Sequence, residues 1–200
     1  MAGNTLSLTI LSDNNAASGC SAEHGFSLLM ETLESTILFD TGRENALLSN
    51  AAALGVDLSR TKQLVLSHGH YDHTGCIAEL LELAPDASVF LHRAAFQQRY
   101  SIRDGIPKPV HMPEPALTAL NSLPEQQLNL IEQPSVLSYS AAVTGPVPRR
   151  TSYEDTGGPF YLDPEGTRPD PVDDDLSIWL ETRDGLVLVT GCCHAGIVNT

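Results

Sequence analysis

Apolar positions first recur with a period of two. Leu6, Leu8 and Ile10 alternate with Ser7 and Thr9, which predicts a strand with one buried face. Polar and small residues at positions 12–19 end that pattern. Phe26 to Met30 and Thr36 to Phe39 are two further apolar runs, and Thr32 to Ser35 between them suit a hairpin connection. Positions 46–54, rich in Ala and Leu, predict a helix with Gly55 as its C-terminal stop. Leu64 to Leu66 read as a short buried strand that runs straight into a polar loop. Ile77, Leu80, Leu81 and Ala84 then recur at i, i+3, i+4 and i+7, a helix that Pro85 ends, and Val89 to Leu91 form the next strand. Strand, loop, helix and strand in that order predict an α/β layer unit.

The middle of the chain loses its period. Pro107, Pro109, Pro113 and Pro115 predict that no regular element crosses that stretch. A short helix near 116–123 and strand-like pieces at 128–131 and 136–143 follow. Positions 145–175 read as loops, and the run Asp173 to Asp175 suits either a solvated loop or a site wall. Leu176, Ile178 and Leu180 alternate, Arg183-Asp184-Gly185 turns, and Leu186 to Val189 return, a strong hairpin signal. With no repeat and no clean linker, residues 1–200 read as one domain.

Composition narrows the function. The chain has 200 residues, 42% hydrophobic and 18% charged, as folded globular proteins do. Acidic residues outnumber Lys and Arg by 25 to 11, a formal charge of −14. That balance argues against nucleic-acid partners and against docking on an anionic membrane. No apolar run approaches the roughly 18 residues of a membrane span, and Met1 to Thr5 carry no basic start of a signal peptide. Cys20, Cys76, Cys192 and Cys193 form no secreted disulfide framework, so a reducing, cytoplasmic location is expected.

The loop after Leu66 carries the chemistry. His68-x-His70-x-Asp72-His73 places three imidazoles and a carboxylate between a buried strand and a helix N-terminus. Divalent metals take such ligands at about 2.0–2.2 Å. His68 and His70 can point to one ion, while Asp72 and His73 point toward a second. Two ions about 3.5–4 Å apart lower the pKa of a shared water and stabilise charge on a carbonyl or phosphoryl oxygen. The alternative is a capped helix whose polar side chains bond loop carbonyls. His194 follows an apolar strand and a Gly turn, which makes it the natural further ligand.

Ser67 to Gly75 resembles the signature loop of the metallo-β-lactamase superfamily, and Ile37-Leu38-Phe39-Asp40-Thr41-Gly42 resembles the motif that precedes it. The resemblance implies an αββα four-layer sandwich and places Asp40 behind the metal ligands as their support. In the wider superfamily a Thr-Gly-Asp turn supplies an Asp that bridges the metals; here the turn reads Thr190-Gly191-Cys192. Either Cys192 binds as thiolate or His194 takes over. Four stretches, at 23–27, 144–149, 173–176 and 190–199, further resemble the branch that includes the archaeal synthase joining a dihydropterin methyl diphosphate to a ribofuranosyl-aminobenzene phosphate. Members of the superfamily usually continue past the Thr-Gly turn to a last ligand His. This chain ends six residues after His194, so the domain is expected to be incomplete at its C-terminal edge, with self-association through an exposed sheet edge left open.

The expected function is metal-dependent hydrolysis, a metal-bound hydroxide attacking a phosphoryl or acyl ester of a small molecule. His68, His70 and His194 are assigned to one ion, and Asp72 and His73 to the other; Asp72 also orients the attacking water. Zinc is the default for a His-rich site, and iron or manganese also suit His and carboxylate ligands. His24 suits the pocket or a turn. Arg149 and Arg150, the only adjacent basic pair, suit a substrate phosphate or a solvated loop. Two alternatives stand: a transferase joining a dihydropterin diphosphate to an aminobenzene riboside phosphate, and a non-catalytic metal-binding remnant.

Overall fold

The computed structural model describes residues 6–200; the expectation that Met1 to Thr5 hold no targeting signal lies outside them. Strands β1 (Ser7–Ser12), β2 (Ser27–Glu31) and β3 (Thr36–Phe39) lead to helix α1 (Ala46–Leu54), then to β4 (Gln63–Val65), α2 (Tyr71–Thr74), α3 (Ile77–Leu83) and β5 (Ser88–Leu91). Next come the hairpin β6 (Tyr100–Arg103) and β7 (Ile106–Pro109), helix α4 (Glu114–Asn121), and strands β8 (Leu128–Leu130), β9 (Ser135–Val136) and β10 (Ala141–Val143). The chain closes with β11 (Phe160–Tyr161), β12 (Ser177–Thr182) and β13 (Gly185–Thr190).

The period of two sorts side chains between two layers. The first sheet runs β1-β2-β3-β4-β5-β8, antiparallel through β3 and parallel from β3 onward. Leu29, Leu38, Leu64 and Val89 face Leu47, Ile77, Leu80 and Leu120 of the helices. Their neighbours Leu28, Met30, Ile37, Phe39 and Val65 face Val143, Ile178, Leu180 and Val189 of the second sheet, β13-β12-β10-β9. One helix layer and both sheets of an α/β sandwich are thus described. Leu186 and Leu188, on the far face of β13, are exposed. Among the described residues no helix is long and apolar enough to cross a membrane.

Two local expectations need correction. β1 forms, but Leu8 and Ile10 are exposed and Leu11 is the buried residue. Leu8 and Ile10 pair with Met30 and Leu28 on the face toward the second sheet, which has four strands against six and does not cover this edge. The proline-rich stretch also holds a hairpin. Asp104 (φ 52°) and Gly105 (φ 72°) make its turn, the left-handed pair that two-residue hairpins favour. Pro107 pairs with Ile102 and Pro109 with Tyr100. Two residues apart, both prolines turn their missing donors the same way, and β7 is an edge strand of β11-β6-β7, where proline is tolerated.

Candidate metal centre

The centre lies beyond the carboxyl ends of the parallel strands β3 and β4, where α/β sheets commonly hold ligands. Asp40 follows β3, fully buried, in the left-handed region at φ 61°. Its Oδ1 accepts the Ser67 backbone N–H at 2.7 Å. Its Oδ2 accepts the Ser67 hydroxyl at 2.7 Å and meets His73 Nδ1 at 2.7 Å. The Ser67 oxygen lies 2.8 Å from His68 Nδ1. Because the carboxylate only accepts and the Ser67 proton is committed to it, His68 Nδ1 and His73 Nδ1 must both donate. The Nε2 atoms of both rings are left to face inward. His194 follows the same rule, with Nδ1 on the Thr156 carbonyl at 2.6 Å.

Those nitrogens converge. His68 Nε2 stands 2.9 Å from His70 Nδ1 and 3.3 Å from His194 Nε2. His68, His73 and the Cys192 thiol form a second group of mutually close donors. His73 Nε2 lies 3.1 Å from Cys192 Sγ and 3.7 Å from Asp72 Oδ2. His24 reaches the same carboxylate at 3.3 Å. All the expected site residues of the loop and the Cys192–His194 turn therefore come together. His194 falls in the first donor group and Cys192 in the second, with His68 common to both.

The backbone carrying them is clamped from behind. Gly69 lies so close to the Ala95 backbone that a Cβ would overlap it. Its N–H donates to Asp174 Oδ2 at 2.8 Å, and the Ala195 N–H donates to Asp175 Oδ2 at 2.7 Å. Asp174 and Asp175 are buried and hold the two ligand loops; only Asp173 of the run is exposed. Fully buried Arg99 bonds both Asp174 and Asp170, the latter at 3.0 Å. Arg99 escaped the sequence reading, because a single Arg in an irregular stretch carries no periodic signal.

Electrostatics set which groups carry protons. Burial, then the neighbouring His73 and His70, holds His68 well below the usual imidazole range. Burial, then His194, pushes His70 down to about 2. Burial works against charge on His73 as well, but Asp40 outweighs it and raises His73 well above its ordinary value. Desolvation raises the Cys192 thiol, yet hydrogen bonds with His194 and His73 and the charge of both rings outweigh it and bring it to about 7. His68 and His194 bring their Nε2 atoms 3.3 Å apart with both Nδ1 protons committed outward, an arrangement that suits a cation held between them. Despite its burial, His194 is raised above its ordinary value by its hydrogen bonds to Cys192 and the Thr156 carbonyl. The donor set fits a divalent metal.

A cavity of about 610 Å³ opens onto the centre, a size that suits a small organic ligand. His70, Asp72, Cys192 and His194 form its floor, and Tyr71 and Phe160 wall it. The Phe160 ring packs 4.8 Å from His70 and 5.3 Å from His194. The basic residues on its rim are Arg103 and Lys108 of the β6–β7 hairpin. Arg149 and Arg150 do not line it. Arg149 donates to the His194 carbonyl at 2.8 Å and to the Pro171 carbonyl, and the Arg150 backbone N–H bonds Asn199 Oδ1 at 2.8 Å. The pair ties loops together instead. The Asp104-Gly105 turn was the overlooked signal for the rim.

The model of the metallo-β-lactamase superfamily matches residues 21–194. The chain belongs to the metallo-β-lactamase superfamily. A solved metal-dependent hydrolase of the β-lactamase superfamily matches 96% of this chain and 68% of its own, at 30% identity and a TM-score of 0.74. An uncharacterized protein of Methanocaldococcus jannaschii is 32% identical over 194 residues, 96% of this chain and 71% of the relative. The same organism's 7,8-dihydropterin-6-methyl-4-(β-D-ribofuranosyl)-aminobenzene-5′-phosphate synthase is 26% identical over 89% of this chain and 64% of its own length.

Proposed function

We propose that this metallo-β-lactamase superfamily member is a metal-dependent hydrolase of a phosphoryl or acyl ester in a small molecule. One observation carries the reading: three imidazole nitrogens converge with their protons committed outward, to Ser67, Asp40 and Thr156. His68, His70 and His194 would hold one ion, and His73 with Asp72 a second. Bound divalent ions supply Lewis acidity toward the scissile centre and lower the pKa of water. Zinc is the default for these ligands, and iron and manganese also suit them. Asp72 Oδ2, steadied by His24 at 3.3 Å, reaches the cavity and orients the attacking water. Phe160 and Tyr71 exclude bulk water, and Arg103 and Lys108 attract an anionic group such as a phosphate. A reducing cytoplasm suits the four free cysteines.

The likeness to the synthase favours a second reading, in which an organic acceptor replaces water as nucleophile and the ions assist departure of a diphosphate. One experiment tests both. The purified protein is analysed for metal, stripped with chelator, reloaded, and assayed on phosphoryl and acyl esters and on a pterin-type diphosphate with and without an acceptor. Metal-dependent release of the water-derived product supports the hydrolase. A product formed only with acceptor replaces it with the transferase. Absence of bound metal, with stability unchanged by chelator, overturns both.

A further inference from the structure

One wall of the cavity is a sheet face. Phe160 of β11 pairs with Ser101 of β6, and Ser101 pairs with Lys108 of β7. Arg103 pairs with Ile106 one step further along the hairpin. Paired residues and residues two apart share a face. Phe160, Ser101, Lys108, Arg103 and Ile106 therefore present one side, and all five line the cavity. Ile102, between them, turns the other way and abuts Gly166. The hairpin is rooted beside the centre, where the Tyr71 N–H donates to the Val110 carbonyl at 3.0 Å and His70 pairs with His111. Its Asp104-Gly105 turn lies at the opposite end. At about 3.4 Å per residue, Lys108 stands roughly 7 Å and the Arg103–Ile106 pair roughly 14 Å along the strand from Val110.

The cations on this face are uncommitted. The Arg and Lys ion pairs among the described residues belong to Arg43, Arg93, Arg99 and Arg183. Arg103 and Lys108 have none, although Asp104 adjoins Arg103 and also lines the cavity. In a chain with 25 acidic and 11 basic residues, two such cations beside a hydroxyl on one face suit an anion. The Arg fork matches a phosphate, and Lys and Ser add donors next to it. Phe160 packs 4.8 Å from His70 at the inner end of the same face and offers its ring to an apolar or flat group. We propose that Ser101, Arg103 and Lys108 form a handle site for a phosphate that does not react, on a substrate whose scissile bond lies at the metal centre and whose middle lies on Phe160. Binding energy from such a remote group positions the reacting end. This inference rests on the hydrolase reading and names its substrate class: an elongated small-molecule ester that carries a second, unreactive phosphate.

The test measures binding of phenylphosphonate, a non-hydrolysable ring with one anionic group, to the whole chain by calorimetry, zinc-loaded and chelator-stripped in parallel. One molecule should bind per chain, with an affinity that zinc changes by less than about threefold. Arg103→Ala and Lys108→Ala should each weaken it at least about tenfold, the scale of a charge-assisted bond, and Ser101→Ala about threefold. Arg150→Ala, which removes a positive charge away from the cavity, should leave it unchanged. Far-ultraviolet circular dichroism checks that each variant folds. Absence of binding up to about 10 mM, or binding that Arg103→Ala and Lys108→Ala leave intact, overturns the handle site. Binding that appears only with zinc and ignores the hairpin variants puts the anion on the metal, which also overturns the handle site and leaves the hydrolase reading standing. Hairpin-dependent binding in a zinc-loaded chain that turns over no ester supports the anion site and overturns the hydrolase reading.

Discussion

Replacing Asp40 by Asn is the sharpest perturbation of the centre, because it reverses the direction of a hydrogen-bond chain. Asn tolerates φ 61°, as few other residues do, so the backbone can stay in place. Its carbonyl can take the place of Oδ1, accepting the Ser67 N–H at 2.7 Å. The NH2 then faces Ser67 Oγ and His73 Nδ1, both 2.7 Å from the present Oδ2. Ser67 must now accept there and donate to His68 Nδ1, 2.8 Å away. Both histidines are pushed toward the tautomer with N–H on Nε2, pointing into the centre. Losing the partner of one ligand costs about 10–100-fold in metal affinity. With two ligands affected, the expected loss is about 10²–10⁴-fold, or ~3–6 kcal/mol at about 1.4 kcal/mol per tenfold. Fold stability should fall by only about 1.5–3 kcal/mol, the scale of one hydrogen bond to a charged group. Zinc affinity is measured by competition with a chromophoric chelator, and folding by urea denaturation of the metal-free protein. A zinc Kd within about threefold of wild type, in a variant with native circular dichroism, would refute the tautomer argument.

Four more outcomes follow from the same geometry. Arg99→Met leaves Asp170 and Asp174 buried without their counter-charge and should destabilise the fold by about 3–5 kcal/mol in urea denaturation. Metal-free protein should lose stability as pH falls below about 6. His68 and His70 stay neutral in the folded state while the unfolded chain takes up their two protons; His73 and His194, raised in the fold, offset that slope near pH 6.5, where the unfolded chain is only half protonated, and cease to do so below about pH 5.5. The slope from His68 and His70 then approaches about 2.7 kcal/mol per pH unit, and a flat or rising stability between about pH 6 and 5 would contradict it. Arg103→Ala and Lys108→Ala should each raise KM for a phosphorylated ester about tenfold, the scale of one charge-assisted bond. Arg149→Ala should leave KM unchanged and lower Tm.

What could be read from the sequence was what short spacing encodes. The ligands of the His68–His73 loop sit within six residues, and the strand, loop and helix that present them follow from period and punctuation alone. What could not be read was anything made by closure over distance. Asp40 decides the tautomer of His68 through Ser67, 27 residues away along the chain, and that of His73 from 33 residues away. Asp174 reaches Gly69 across 105 residues. A run of three aspartates carries no mark of which two the fold will bury. The β6–β7 hairpin is a different case. Its Asp104-Gly105 turn was visible, and the neighbouring prolines outweighed it only because their place on an edge strand was not. That hairpin carries Arg103 and Lys108 onto the cavity rim, so the basic residues proposed to attract substrate lie on a segment whose pairing only the edge position explains. The candidate ligands of the loop are written locally. The basic rim of the cavity depends on which strand became an edge, and that is settled only when the whole sandwich has formed.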